Sequence, residues 1–223
     1  MPERPSEAMT QLFPVFLDLR GKRCVVVGGG KVAKRKVESL VEAGAVVTVI
    51  APEVTQLPDT VAIIRRPFQP KDLDGARFVI AATDDPAVNA AVADAAEACG
   101  IWVNAVDDPV NCSVFLPAVV RRGAFCLAIS TGGASPAFAR RLRERLEREF
   151  GEEYGQFTAL LWTLRRVWEP RAKAAGVLPA ARQRAWEQIL DLPLLDWLHA
   201  GEWERAEQAA IEILEAALRE EAG

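Results

Sequence analysis

Four apolar residues, Cys24-Val25-Val26-Val27, run directly into Gly28-Gly29-Gly30-Lys31-Val32-Ala33. A strand that turns on glycines into a helix allows few arrangements. Gly28 permits the tight turn, Gly30 lets the backbone approach a pyrophosphate, and Ala33 takes the third position, where a small residue allows close helix–strand packing. The N–H groups at the helix start then face the phosphates. The junction therefore predicts a dinucleotide site, with a purely structural glycine turn as the alternative.

The residues that follow supply the context such a site needs. Ala33, Val37, Leu40 and Val41 recur at helical spacing, and Gly44 stands where a C-terminal cap belongs. Ala45 to Ile50 is short, β-branched and apolar, as a parallel strand covered on both faces should be. Glu53 lies about 20 residues beyond Ala33, where an acidic side chain can hold the adenine ribose hydroxyl, which favours NAD over NADP. Pro52 intervenes after the strand end, so an exposed loop acid is the competing reading of Glu53.

Val61-Ile64, Arg77-Ala82 and Ile101-Asn104 read as three more strands, with a helix between the last two. Asp85 can cap that helix, Pro86 fits its first turn, Val88, Ala91, Val92 and Ala95 form one face, and Gly100 ends it. Alternating β and α segments imply an α/β fold of Rossmann type, a parallel sheet with a ligand crevice at the carboxyl ends of its strands. Three groups converge on that crevice: the Gly28 loop, Thr83-Asp84-Asp85, and the turn Asn104-Ala105-Val106-Asp107-Asp108-Pro109.

Composition narrows the function classes. A chain of 223 residues, 50% hydrophobic and 26% charged, suffices for one large or two modest domains. Charges break every apolar run well before it could span a membrane, and Met1 to Gln11 lacks the pattern of a signal peptide. Cys24, Cys99, Cys112 and Cys126 show no C-x-x-C spacing, which points to a reducing cytoplasm. With His199 as the single histidine, read as an ordinary surface residue, no preassembled metal cage is expected. A formal charge of −4 gives no support to nucleic-acid binding.

The chain changes character after Pro117. Val119-Val120-Arg121-Arg122-Gly123 leads to a strand, Ala124 to Ser130, outside the parallel sheet, where its edge would be unpaired. Thr131-Gly132-Gly133-Ala134-Ser135-Pro136 then reads as loop, cap and first helical residue. Phe138, Leu142, Leu146 and Phe150 make the apolar stripe of that helix, and arginines and glutamates fill the remainder. The helix start is suited to an anion; a solvated helix with internal ion pairs is the alternative. From Gly151 the pattern is helical, divided at Pro170, Pro179 and Pro193, with Trp162, Trp168, Trp186, Trp197 and Trp203 expected mainly in a core. Three segments result, residues 1–116, 117–150 and 151–223.

Several signatures together carry a resemblance: Phe13-Pro14-Val15-Phe16-Leu17, Val27 to Ala33, Ala81-Ala82-Thr83-Asp84-Asp85, Asn104 to Pro109, and Ser130 to Pro136. In this order they resemble the precorrin-2 dehydrogenase family, the NAD-dependent module of siroheme synthase. The resemblance covers nearly the whole length, is strongest from Phe13 to Phe150, and stops short of the methyltransferase domain of fused members. It implies oxidation of precorrin-2 to sirohydrochlorin with NAD as hydride acceptor, and some members also insert ferrous iron. It implies a homodimer as well, with the segment 117–150 at the interface.

Carried onto this sequence, the family pattern assigns the cofactor to Gly28, Gly30, Lys31, Val32, Ala33, Pro52 and Glu53, to which the crevice adds Thr83. Asp107 matches the family's functional aspartate, a carboxylate able to accept a proton or orient ring nitrogens; a mere turn at Asp107-Asp108-Pro109 is the alternative. A polyanionic tetrapyrrole calls for basic and N–H-rich partners, for which Arg121, Arg122, Arg140, Thr131, Gly132, Gly133 and Ser135 are the candidates. A non-catalytic NAD-sensing module is the alternative function, and it needs no carboxylate at the nicotinamide.

Overall fold

The structure, a computed structural model, describes residues 11–220. The reading of Met1 to Gln11 thus falls outside the described residues except at Gln11. The chain forms two compact units, one running to Leu116 and including Gly132–Ala134, the other made of Pro117–Thr131 and the chain from Ser135 onward.

The first unit follows the β–α alternation of the sequence: β1 (Arg23–Val27), α1 (Lys31–Glu42), β2 (Val46–Ile50), β3 (Ala62–Ile64), β4 (Phe78–Ala81), α2 (Pro86–Ala98) and β5 (Trp102–Ala105). Five parallel strands stand in the order β3-β2-β1-β4-β5. The chain works outward from β1 to β3 and then returns to the other side of β1 as β4. That reversal opens a crevice at the carboxyl ends of β1 and β4, the place where such sheets bind ligands.

Alternation along each strand builds two cores. Cys24, Val26, Val47, Val49, Phe78 and Ile80 pack with Ala33, Val37 and Leu40 of α1 on one face. Val25, Val27, Val79, Ala81, Val103 and Ala105 pack with Val92, Ala93 and Ala96 of α2 on the other. Strands covered on both faces are apolar along most of their length, with Thr48 of β2 and Asn104 of β5 as buried polar exceptions. Asp85 caps α2 by accepting from the Ala87 amide at 2.8 Å, with Pro86 in the first turn.

The second unit starts with β6 (Ala118–Arg122) and β7 (Phe125–Ile129), antiparallel partners that pair Ala118 with Ile129 and Arg122 with Phe125. This corrects two expectations: Val119–Arg122 is itself a strand, and β7 has one edge paired within its own hairpin. Helices α3 (Pro136–Glu149), α4 (Glu152–Ala174), α5 (Pro179–Leu190), α6 (Leu194–His199) and α7 (Trp203–Glu220) follow. On α3 the expected stripe is incomplete, since Phe138 is 58% exposed and Ala139 is the buried residue. Phe150 instead stacks on Phe125 at 5.6 Å and meets Tyr154 edge-on at 4.9 Å.

Pro170 does not divide the tail; it lies inside α4. Its ring removes one N–H from the helical ladder, and the helix continues because the affected turn is at the surface, with Arg166, Val167 and Pro170 all exposed. The core of this unit joins Leu160, Leu164 and Trp168 of α4 to Ala185 and Ile189 of α5 and Ala206, Ala210 and Leu214 of α7. Trp168 is buried, donates its indole N–H to the Leu214 carbonyl at 2.8 Å, and meets Trp186 edge-on. Trp162 and Trp203 are 68% and 38% exposed, so the core reading of the tail tryptophans does not extend to them. His199 is at the surface, 3.5 Å from Glu153.

Candidate functional site at the strand ends

Gly28 closes β1 with φ of +126°, a conformation that only glycine adopts freely, and a methyl group there would collide with the Ala82 carbonyl. Its amide donates to the Ile50 carbonyl at 3.0 Å, so the turn is tied to β2. Gly29 has no room for a side chain either, because the Glu53 carbonyl and Val54 lie against it. Thr55 completes this clasp by donating both its amide, at 2.9 Å, and its hydroxyl, at 3.0 Å, to the Gly29 carbonyl. Around Gly30 the space is open, and α1 begins there with no side chain capping its first amides. An open, uncapped helix start beside a forced glycine turn fits a dinucleotide pyrophosphate.

The remaining cofactor candidates surround this turn. Lys31 is exposed, Val32 half-buried, and Ala33 buried against β1, whereas Pro52 and Glu53 are exposed on the loop after β2. Thr83 follows β4 and is held by Asn89 of α2. The Asn89 side chain accepts from the Thr83 amide at 3.2 Å and hydroxyl at 2.8 Å, and donates to the Thr83 carbonyl at 3.0 Å. Asn89 is buried on the Val92–Ala93–Ala96 stripe of α2. A polar residue on an apolar helical stripe was the available sequence signal for this partner.

Asp107 stands at the tip of a compact loop that leaves β5 and returns alongside it. The Val106 amide donates to the Ala81 carbonyl at 2.8 Å, and the Val114 amide donates back to Val103 at 3.0 Å. Asp107 has φ of +59°, the single non-glycine residue in the left-handed region among the described residues. Aspartate tolerates that region better than most side chains. Its carboxylate is exposed at the carboxyl end of β5, the neighbour of β4. Lys36, half-buried on α1, is pushed down from the usual lysine value by burial and by Arg35, and the charge of Asp107 opposes that fall.

The loop closes on Cys112, which is half-buried. Its thiol accepts from the Ala105 amide at 3.2 Å and the Asn104 side chain at 3.6 Å, and lies 3.1 Å from the Ala105 carbonyl and 3.3 Å from that of Asp108. Burial pushes this thiol up, with Asp108 adding to the rise and the bond with Ala105 opposing it. In the sequence alone Lys36, Thr55 and Asn89 had no assigned role, Gly29 counted only as part of the glycine run and Cys112 only as an unpaired cysteine, because each acts through contacts made only on folding.

The substrate candidates occupy other elements. Arg121 is exposed on β6 and Arg140 is exposed on α3. Arg122, by contrast, is half-buried and structural, donating to the Glu147 carbonyl at 2.9 Å and pairing with Glu152 at 3.2 Å. Ser135 is the N-cap of α3, its hydroxyl accepting from the Phe138 amide at 3.1 Å, while its own amide donates to the Thr131 hydroxyl at 3.1 Å. Gly132 and Gly133 are exposed between them.

Comparison with known proteins agrees with this geometry. An NAD(P)-binding family model matches residues 15–118, and the model for the sirohaem biosynthesis protein central domain matches residues 123–149. A siroheme synthase of Methylococcus capsulatus is 42% identical over 214 residues, covering 93% of this chain and 44% of that protein. One of Pseudomonas fluorescens is 39% identical over 215 residues, with 93% and 45% covered. The chain thus spans less than half the length of these relatives. A solved precorrin-2 dehydrogenase superposes with a TM-score of 0.70 at 28% identity, covering 90% of this chain and all of that one. With the two family models in order along one chain, siroheme synthases 42% and 39% identical over 93% of it and a precorrin-2 dehydrogenase sharing its fold, this chain is similar to the precorrin-2 dehydrogenases and to the matching part of the siroheme synthases.

Proposed function

We propose that this protein oxidises precorrin-2 to sirohydrochlorin, with NAD as the acceptor. The observation that carries the reading is the joint position of the open glycine turn after β1 and the exposed Asp107 after β5, both at the carboxyl ends of one parallel sheet. Gly28 and Gly30 shape the pyrophosphate seat, Lys31 to Ala33 present the helix start, Pro52 and Glu53 border the ribose, and Thr83 borders the crevice from β4. When bound, NAD supplies a hydride acceptor. Loss of a hydride from the tetrapyrrole leaves a proton to be removed. Asp107 takes that proton at its carboxylate, since no other acid of its loop is equally unengaged.

The names of the relatives support the substrate, a polyanion for which Thr131, Gly132, Gly133, Ser135, Arg121 and Arg140 supply N–H groups, hydroxyls and positive charge. Ferrous iron is a second substrate in this reading, with Asp107 easing deprotonation of the ring nitrogens. The chain acts as a homodimer joined through residues 117–150, a role supported by the two-stranded β6–β7 sheet, whose outer edges have no partner strand among the described residues, and by exposed Phe138. In the same reading residues 1–116 hold the cofactor and 151–223 form a helical domain. A cytoplasmic setting is part of the same reading, supported by cysteines that are all free; among the described residues no helix is long and apolar enough to cross a membrane.

The test is to mix the purified protein with NAD and isolated precorrin-2 and follow NADH absorbance. Formation of NADH together with the sirohydrochlorin spectrum is expected. Tight NAD binding without any NADH would replace the enzyme by an NAD-sensing module.

A further inference from the structure

The Cys112 thiol touches the backbone on both sides of Asp107, and we infer that Cys112 is a positioning residue that holds Asp107 in its left-handed turn. Four groups meet at one sulfur: the Ala105 amide at 3.2 Å, the Asn104 side-chain amide at 3.6 Å, the Ala105 carbonyl at 3.1 Å and the Asp108 carbonyl at 3.3 Å. Residues 105 and 108 bracket Asp107, so the thiol fixes the start and the end of the turn that carries the carboxylate.

The chemistry of a thiol suits this position. Sulfur is a weak acceptor with a long reach, and its single hydrogen is shared between the two carbonyls. Burial keeps the group protonated at neutral pH, so it retains that hydrogen. A left-handed aspartate costs conformational energy and persists only where its surroundings hold it. The wider loop is anchored independently, by Ser113, whose hydroxyl accepts from the Val103 amide at 2.8 Å, and by Val114. Loss of the thiol therefore loosens the Asp107 turn without detaching the loop. The glycine turn and Thr83 are held by other bonds, so cofactor binding is spared.

The inference rests on the proposed proton-accepting role of Asp107, and its test separates the two. In the full-length protein, Cys112→Ala is expected to speed hydrogen exchange at the Ala105 amide and to lower kcat roughly 10- to 100-fold, the range for a displaced catalytic group. KM for NAD and its dissociation constant stay near the parent values. Cys112→Ser restores part of kcat, because a hydroxyl keeps a donor and an acceptor. In an Asp107→Asn background the Cys112→Ala change costs nothing further, since the group being positioned is gone. Cys112→Val, of similar bulk but without a hydrogen bond, replaces the alanine variant if that fails to fold.

Unchanged exchange at Ala105, an unchanged kcat, a serine variant no better than alanine, or an equal loss in both backgrounds would each overturn the positioning role. Near-normal turnover by Asp107→Asn alone overturns the reading of Asp107 and the catalytic purpose of the thiol with it. An inactive Asp107→Asn variant beside a fully active Cys112→Ala variant overturns only the thiol.

Discussion

Asn111 donates its side-chain amide to the Asp108 carboxylate at 2.6 Å, and this bond distinguishes two adjacent acids. Asp108 is committed to its own turn, where its carbonyl also accepts from the Asn111 amide at 3.2 Å. Asp107 keeps an exposed carboxylate at φ +59°. Asp107→Asn is therefore expected to slow sirohydrochlorin formation by about 10²–10⁴-fold, the usual contribution of a general base. Asparagine accepts the left-handed conformation as readily as aspartate, so melting temperature and NAD affinity should hold. Asp108→Asn should cost much less. Steady-state kinetics on the two variants checks this, and parent-like turnover by Asp107→Asn would assign the proton to water or another group.

Glu53 combines an exposed side chain with a backbone carbonyl packed on Gly29, which fixes where its carboxylate can reach. A carboxylate near the adenine ribose accepts from a 2′-hydroxyl and repels a 2′-phosphate. NAD should bind at least about tenfold more tightly than NADP, and Glu53→Gln should narrow that gap. Calorimetric titration of both cofactors measures the difference. Equal affinities in the parent protein would remove Glu53 from the ribose.

A chain of 24.3 kDa that dimerises through residues 117–150 should scatter light at micromolar concentration as a particle of about twice that mass. Phe138→Asp, at an exposed position of α3, should shift the mass toward the monomer. A monomeric parent protein over this range would leave the β6–β7 hairpin without its proposed partner.

Arg66 forks onto Asp72, with its two terminal nitrogens at 2.8 and 2.5 Å from the two carboxylate oxygens, and the Gln69 amide donates to the same carboxylate at 2.8 Å. Arg66 holds this buried carboxyl below the usual range, with the Gln69 bond contributing to the fall. A lowered folded value means that the stabilisation is complete above the unfolded carboxylate pKa of about 4 and is lost as pH falls through the folded value. Asp72→Asn should cost about 1–3 kcal/mol at pH 7, an amount moderated by the partial exposure of Arg66. Chemical denaturation of parent and variant should show that difference shrinking as the pH is lowered below 4. A difference independent of pH would mean the ion pair contributes nothing.

The strand–glycine–helix junction, the β–α alternation and the Asp85 cap were legible in the sequence because each depends on residues within a turn or two of one another. An apolar run reads the same in isolation as in a sheet covered on both faces. The hairpin of Ala118–Arg122 with Phe125–Ile129 was only half legible, since Arg121 and Arg122 interrupt the alternation and pairing alone makes the strand. Pro170 inside α4 and the exposure of Trp162, Trp203 and Phe138 depended on which helical faces found partners.

The same division runs through the candidate site. The sequence by itself determined that glycines must follow β1 and placed acids after β2 and β5, because turn geometry and the order of elements are local properties. Only the tertiary structure decided that the Glu53 carbonyl excludes any side chain from Gly29, that Asn89 holds Thr83, and that Cys112 brackets Asp107. Those relationships join groups on separate turns and elements. Their geometry exists only once the two cores have packed, and that packing is set by the whole chain together.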